Sequence, residues 1–194
     1  MPIVEKFANG HKVFIAGSSW QPDEEIFIKY FNEHRDWKLI IAPHVIDEDH
    51  LEQIEKLLES RKVIRYTETS EGSEALTDAD VLIINCFGLL SSIYHYADVT
   101  YVGGGFGVGI HNTLEAAVWD VPVIFGPNNQ RFQEAQGLKA CEGGFEISSY
   151  DDFAKLMDRF STDAAYLQKA GQQAGDYVKQ LSGATKRILS DVNL

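Results

Sequence analysis

Runs of consecutive apolar residues alternate along the chain with segments whose apolar residues recur every three or four positions. The runs predict six strands, at 11–17, 38–42, 63–66, 81–84, 98–102 and 121–125. Helical spacing lies between them, as in the stripe Ile26, Phe27, Tyr30 and Phe31, and it returns in a tail that starts at Ser149. The strands show no polar alternation, which is typical of parallel strands covered by helices on both faces. We predict one doubly wound, Rossmann-like α/β domain over residues 1–194 with a helical C-terminal tail.

The composition of the chain argues against several classes of function. The chain has 29 Asp and Glu against 17 Lys and Arg, for a net charge of −12. Such a surface does not favour nucleic acid or an anionic membrane, because a phosphate backbone requires clustered basic residues. The two cysteines, Cys86 and Cys141, give no disulfide framework, and no apolar run approaches the ~20 residues of a membrane span. We expect a soluble, cytoplasmic domain with a small-molecule ligand.

A glycine-rich segment after the fifth strand is the leading site candidate. Five of the seven residues from 103 to 109 are glycines, and a helix at 113–119 is predicted to follow. In doubly wound sheets ligands bind beyond the carboxyl ends of the strands, where glycines allow close backbone approach and helix N-termini bind phosphate. The alternative is a loop that needs glycine only for its turns. The segment lacks the Gly-Lys-Ser/Thr of a P-loop.

Other candidates have equally plausible structural roles. Asn112 and Glu115 form a capping-box pattern, in which Glu115 either turns back to the Asn112 amide or points into the cleft and binds a ribose diol. Ser18 and Ser19 follow the first strand, where they either cap the next helix or act as lateral phosphate donors. His44 follows the second strand, and its position modestly favours a site role.

Taken together, the motifs resemble the C-terminal domain of 3-deoxy-D-manno-octulosonic acid (Kdo) transferases, which are two-domain glycosyltransferases of the GT-B type. The motifs occur in the family's order: Gly17-Ser18-Ser19, Pro43-His44, Gly103-Gly104-Gly105, Gly109-Ile110-His111-Asn112-Thr113-Leu114-Glu115, Pro122-Val123 and Gly126-Pro127. The block from Gly103 to Glu115 is the specific one.

The resemblance implies a donor site for CMP-Kdo or CMP, with Glu115 on the ribose hydroxyls and the loop from Gly104 to Asn112 at the phosphate. The residues it assigns to the donor nucleotide are Ser18, Ser19, Pro43, His44, Gly104, Gly105, Gly107, Gly109, His111, Asn112 and Glu115. It implies no metal or other cofactor. The catalytic base and the site for the lipid A precursor belong to the family's N-terminal domain, which we expect to be absent here, so the chain alone is expected to be inactive. The whole enzyme is expected at the cytoplasmic face of the bacterial inner membrane.

Two other functions are compatible with the residues. One is the donor domain of another GT-B enzyme that uses a UDP-sugar, or of a related 2-epimerase. The other is a non-catalytic α/β binding module in which Glu115 is only a helix cap.

Overall fold

The computed structural model describes residues 1–58 and 61–182. A seven-stranded parallel sheet forms its centre, and its strands are β1 (Lys12–Ser19), β2 (Trp37–Pro43), β3 (Val63–Arg65), β4 (Val81–Ile83), β5 (Val99–Val102), β6 (Val123–Phe125) and β7 (Gly144–Glu146). The helices around it are α1 (Pro2–Ala8), α2 (Gln21–Glu33), α3 (Glu48–Leu57), α4 (Ala75–Asp78), α5 (Leu90–Ile93), α6 (Leu114–Ala117), α7 (Gln133–Ala140), α8 (Tyr150–Thr162) and α9 (Ala164–Leu181).

The predicted fold class is confirmed, and all six predicted strands form with small shifts at their ends. The sequence pattern does not predict β7, α1, α4 or α7. These elements are short, so their periodic pattern spans too few residues to separate them from loops. The helical tail is confirmed as far as Leu181, and its last residues lie outside those described.

Burial on both sheet faces explains the apolar runs. In β1, Phe14 and Ala16 point into one hydrophobic cluster, while Val13 and Ile15 point into another on the opposite face. Successive side chains of a strand point to opposite faces, so a strand covered on both sides is apolar throughout. None of the helices in the described ranges is long and apolar enough to span a membrane.

The strand order, β3-β4-β2-β1-β5-β6-β7, places the switch point of the sheet between β1 and β5. Gly17 near the end of β1 pairs with Ala42 of β2 on one side and with Val102 of β5 on the other. The three chain segments that carry the predicted site residues therefore leave the sheet side by side at its carboxyl edge.

The C-terminal helices belong to the core. Phe153 of α8 is fully buried, and its ring lies edge-on to Phe14, Tyr30 and Phe31 at centroid distances of 5.7, 5.5 and 6.3 Å. Such aromatic packing ties α8 to both β1 and α2.

We expect Phe153→Ala to lower the free energy of unfolding by about 3–5 kcal/mol, because it leaves a cavity in this aromatic cluster. Leu181→Ala, at a side chain that is 45% exposed near the end of α9, is the control and should have little effect. Urea unfolding followed by circular dichroism measures both. Equal effects of the two substitutions would contradict the assignment of α8 to the core.

Candidate functional site

The glycine-rich loop is a compact, internally bonded turn. The Gly104 carbonyl accepts from the amides of Gly107 and Gly109 at 3.0 Å each, and the Gly103 carbonyl accepts from His111 at 3.1 Å. Gly104 and Gly109 have φ of +91° and +122°, which explains the glycine at both positions. Several of the amides expected to face a phosphate therefore already donate hydrogen bonds to carbonyls of the loop itself.

Free amides remain both within the loop and just beyond it. Among the described residues, no acceptor faces the backbone N–H groups of Gly105, Phe106, Val108, Ile110, Asn112 and Thr113. The last two immediately precede α6, which begins at Leu114 and is shorter than the predicted helix. Asn112 and Thr113 therefore add N–H donors for an anion to those that the loop retains.

A buried carboxylate in α2 anchors the loop. Asp23 is 1% exposed and accepts hydrogen bonds from the Gly104 amide (2.9 Å), the Trp20 amide (2.9 Å) and the Tyr101 hydroxyl (2.7 Å). From the sequence alone, Asp23 belongs to the acidic first turn of the predicted helix, where it complements the helix dipole. Its position three residues into α2 signals the bond to Trp20, but the bond to Gly104, 81 residues away, depends on the sheet.

The two serines after Gly17 face different surroundings. Ser18 has φ +51° and lines a cavity at the switch point. Ser19 is fully buried, and its hydroxyl donates to Glu24 at 2.8 Å, so the structure does not place it in that cavity. Burial raises the pKa of the Glu24 carboxyl, while His50, 3.2 Å away, acts in the opposite direction.

Three rings from three different loops form a stack. The His44 ring stacks against Trp20 at a centroid distance of 4.5 Å and against His111 at 4.7 Å. The Trp20 indole N–H donates to His111 Nε2 at 3.4 Å. Burial lowers the pKa of His111; the neighbouring His44 lowers it further and Asp23 opposes the change. The sequence analysis missed the ring of Trp20, because nothing local shows that it reaches a histidine 91 residues later.

His111 lies between two cavities at the carboxyl edge. One, of about 350 Å³, has a lining that includes Ser18, Pro43, His44 and His111. The other, of about 430 Å³, also includes His111 and adds Asn112 and Thr113. Both volumes fall within the ~300–1,000 Å³ range of small-molecule sites. The structure thus brings together Ser18, Pro43, His44 and His111 as the sequence predicts.

The capping box at the start of α6 is not formed as described in the sequence analysis. The Asn112 side-chain carbonyl accepts from the Leu114 amide at 3.1 Å, and its side-chain amide donates to Glu115 at 3.0 Å. Glu115 therefore bonds the Asn112 side chain and leaves the Asn112 backbone N–H free. The Glu115 side chain is exposed.

Backbone contact between two loops fixes the shape of the site. A Cβ on Gly105 would lie 2.6 Å from the Gly126 backbone, which follows β6. A Cβ on Gly107 would have its nearest neighbour, the Gly104 carbonyl oxygen, at 3.9 Å, and Gly107 itself is exposed. The glycine requirement is therefore steric at position 105 and not at position 107.

We expect Gly105→Ala to destabilise the protein by about 1–3 kcal/mol, because two backbone segments must separate. Gly107→Ala is the matched control and should change the free energy of unfolding by no more than about 0.5 kcal/mol. Urea unfolding measures both, and an undisturbed Gly105→Ala variant would contradict the close approach of the loops.

Comparison with known proteins supports the resemblance to Kdo transferases that the motifs indicate. No protein-family model matches the chain. A bifunctional glycosyltransferase/methyltransferase of Fusobacterium nucleatum is 29% identical over 81% of this chain. A 3-deoxy-D-manno-octulosonic acid transferase of Aquifex aeolicus is 28% identical over 86% of it. The chain spans 25% and 48% of the lengths of these two relatives.

A solved structure has the same fold. The C-terminal CMP-Kdo binding domain of WaaA from Acinetobacter baumannii superposes with a TM-score of 0.72 and 19% identity, covering 93% of this chain and 98% of that domain. The resemblance predicted from the motifs is confirmed: over most of its length the chain is homologous to Kdo transferases, and it has the Rossmann-like fold of the C-terminal half of a GT-B glycosyltransferase.

Proposed function

We propose that this chain is the donor-binding half of a Kdo transferase and that it holds CMP-Kdo while Kdo is moved to a lipid A precursor. The observation that carries the proposal is the pair of cavities at the β1–β5 switch point, which share His111 as a wall and lie beside the free amides of Asn112 and Thr113. Ligands of doubly wound sheets bind at this position. The homology to Kdo transferases and the fold shared with the CMP-Kdo binding domain of WaaA support CMP-Kdo as the ligand.

Different residues of the site offer hydrogen-bonding groups to the phosphate and to the ribose of the nucleotide. The amides of Asn112 and Thr113 and the side chains of His111 and Ser18 offer hydrogen-bond donors for phosphate oxygens. Glu115 offers carboxylate oxygens for the ribose hydroxyls. The protein as a whole repels an anion, since its net charge is −12. Local N–H donors are therefore the source of phosphate affinity.

In the whole enzyme these donors would stabilise the departing CMP. As the acceptor hydroxyl forms its bond to the anomeric carbon of Kdo, the bond from that carbon to the phosphate oxygen breaks and negative charge collects on the phosphate. The acceptor proton passes to a carboxylate base. We propose that residues 1–194 form one donor domain and that the base and the acceptor site belong to an N-terminal domain, at the cytoplasmic face of the inner membrane.

We expect calorimetry to show CMP binding to the chain, and we expect Glu115→Gln to weaken it about tenfold by removing the charged acceptor for the ribose diol. The variant keeps an oxygen for the Asn112 side chain, so thermal stability should be nearly unchanged. Glu52→Gln in α3 is the matched control, because it makes the same change in net charge at an exposed surface position. It should leave CMP affinity unaltered.

Each alternative predicts a different result. Tighter binding of UMP or UDP than of CMP would favour a UDP-sugar enzyme. A Glu115→Gln variant that loses stability but keeps CMP affinity would favour a binding module with Glu115 as a cap. Absence of binding by the unaltered chain to any of these nucleotides would overturn the proposal.

We also expect the purified chain to transfer no Kdo from CMP-Kdo to a lipid A precursor, since the base is assigned to another domain. A radiolabelled-acceptor assay, with a full-length Kdo transferase as positive control, measures the transfer. Turnover by this chain would show that the base lies within residues 1–194.

A further inference from the structure

The Trp20–His111 contact determines where the neutral His111 ring carries its proton. An indole N–H only donates hydrogen bonds, so His111 Nε2 must accept and be unprotonated. A neutral imidazole then carries its proton on Nδ1. The favoured tautomer of His111 therefore follows from the geometry of Trp20.

The proton-bearing edge of the ring faces away from the protein anchor. Nε2 lies toward Trp20, and the adjacent Cδ2 lies toward Gly104, 3.3 Å from the position that a Cβ there would take. Nδ1 is on the opposite edge of the imidazole, and within residues 1–58 and 61–182 it has no hydrogen-bond partner. His111 lines both cavities.

We propose that Trp20 is a positioning residue for the donor nucleotide, which holds His111 in the tautomer whose free Nδ1–H donates to a phosphate oxygen. This inference rests on the proposed function, and it adds Trp20 to the groups that determine phosphate affinity. The ring of His44 also stacks against both of the other rings. A neutral donor suits this position, because burial and the stacked His44 disfavour a charged His111.

The charged groups around His111 come from three elements. Asp23 of α2 favours the imidazolium, His44 after β2 disfavours it, and Glu134 of α7 lines the second cavity with His111. Trp20 contributes no charge. Replacing its N–H donor therefore changes the tautomer and the pKa of His111 without changing the charges of the site.

The Trp20→Phe variant distinguishes the hydrogen-bonding role of the Trp20 indole from a role in packing. The phenyl ring retains stacking against His44 but has no N–H, so neutral His111 can carry its proton on either nitrogen and the pKa of its ring should rise. The matched control is Trp119→Phe, which removes an indole hydrogen bond to Ser91 in another part of the chain. Both variants are titrated with CMP by calorimetry from pH 5.5 to pH 8.

The readout is the ratio of the Kd of each variant to that of the unaltered chain at the same pH, because the ionisation of CMP cancels in this ratio. For Trp20→Phe we expect a ratio of about 5–10 at pH 8, where His111 is neutral and one tautomer is no longer fixed. The ratio should fall toward 1 as the pH is lowered and His111 becomes protonated, because the doubly protonated ring donates from Nδ1 in both proteins. Burial and His44 lower the pKa of His111, so the titration is continued below pH 5.5 until nitrogen-15 spectra show the ring protonated. Trp119→Phe should give a ratio near 1 throughout.

A ratio that is the same with His111 neutral and with His111 protonated would assign Trp20 a packing role only and overturn the inference. Nitrogen-15 spectra of the unaltered chain provide a second measurement, in which His111 should have a protonated Nδ1 and a bare Nε2 at pH 8; the reverse pattern would also overturn it. Failure of the unaltered chain to bind CMP would instead reject the proposed function.

Discussion

The buried carboxylate of Asp23 is the interaction on which the candidate site depends. Burial of a charge is costly unless hydrogen bonds replace water. Asp23 receives three of them, one from the neighbouring Trp20 and two from Tyr101 and Gly104, 78 and 81 residues away. Its position near the N-terminus of α2 adds the favourable field of the helix dipole. One side chain thereby fixes the start of α2, the end of β5 and the first turn of the glycine-rich loop relative to one another.

This anchoring changes the chemical role of the glycines. The Gly104 amide donates to Asp23, and the Gly107 and Gly109 amides donate back into the loop. The glycines therefore permit a tight fold and close contact with the Gly126 backbone. Asn112 and Thr113 follow the loop with free N–H groups, next to a histidine that separates two cavities. The loop gives the site its shape, and these two residues add donors beside the second cavity.

The ring stack links the same loops a second time. Trp20 is joined to Asp23 through its backbone and to His111 through its indole, so the anchor and the cavity wall are connected by a single residue. His44 stacks against both rings and is itself exposed. An aromatic cluster of this kind remains ordered at the protein surface because each ring has a partner on at least one face.

The layered α/β fold can be predicted from the amino-acid sequence, because two-sided burial requires apolar runs and helices require a 3.6-residue period, and both patterns are local. The location of Gly103–Glu115 and His44 at the carboxyl edge of the sheet can also be predicted, since parallel strands share a carboxyl end. The three-dimensional fold was needed to show that Ser19 faces Glu24, that Asp23 holds Gly104, that Glu115 bonds the Asn112 side chain and that Trp20 reaches His111. Ser19–Glu24 and Asn112–Glu115 are choices between local geometries. The other two contacts depend on strand order and on the relative rotation of neighbouring elements, which no local pattern of residues encodes.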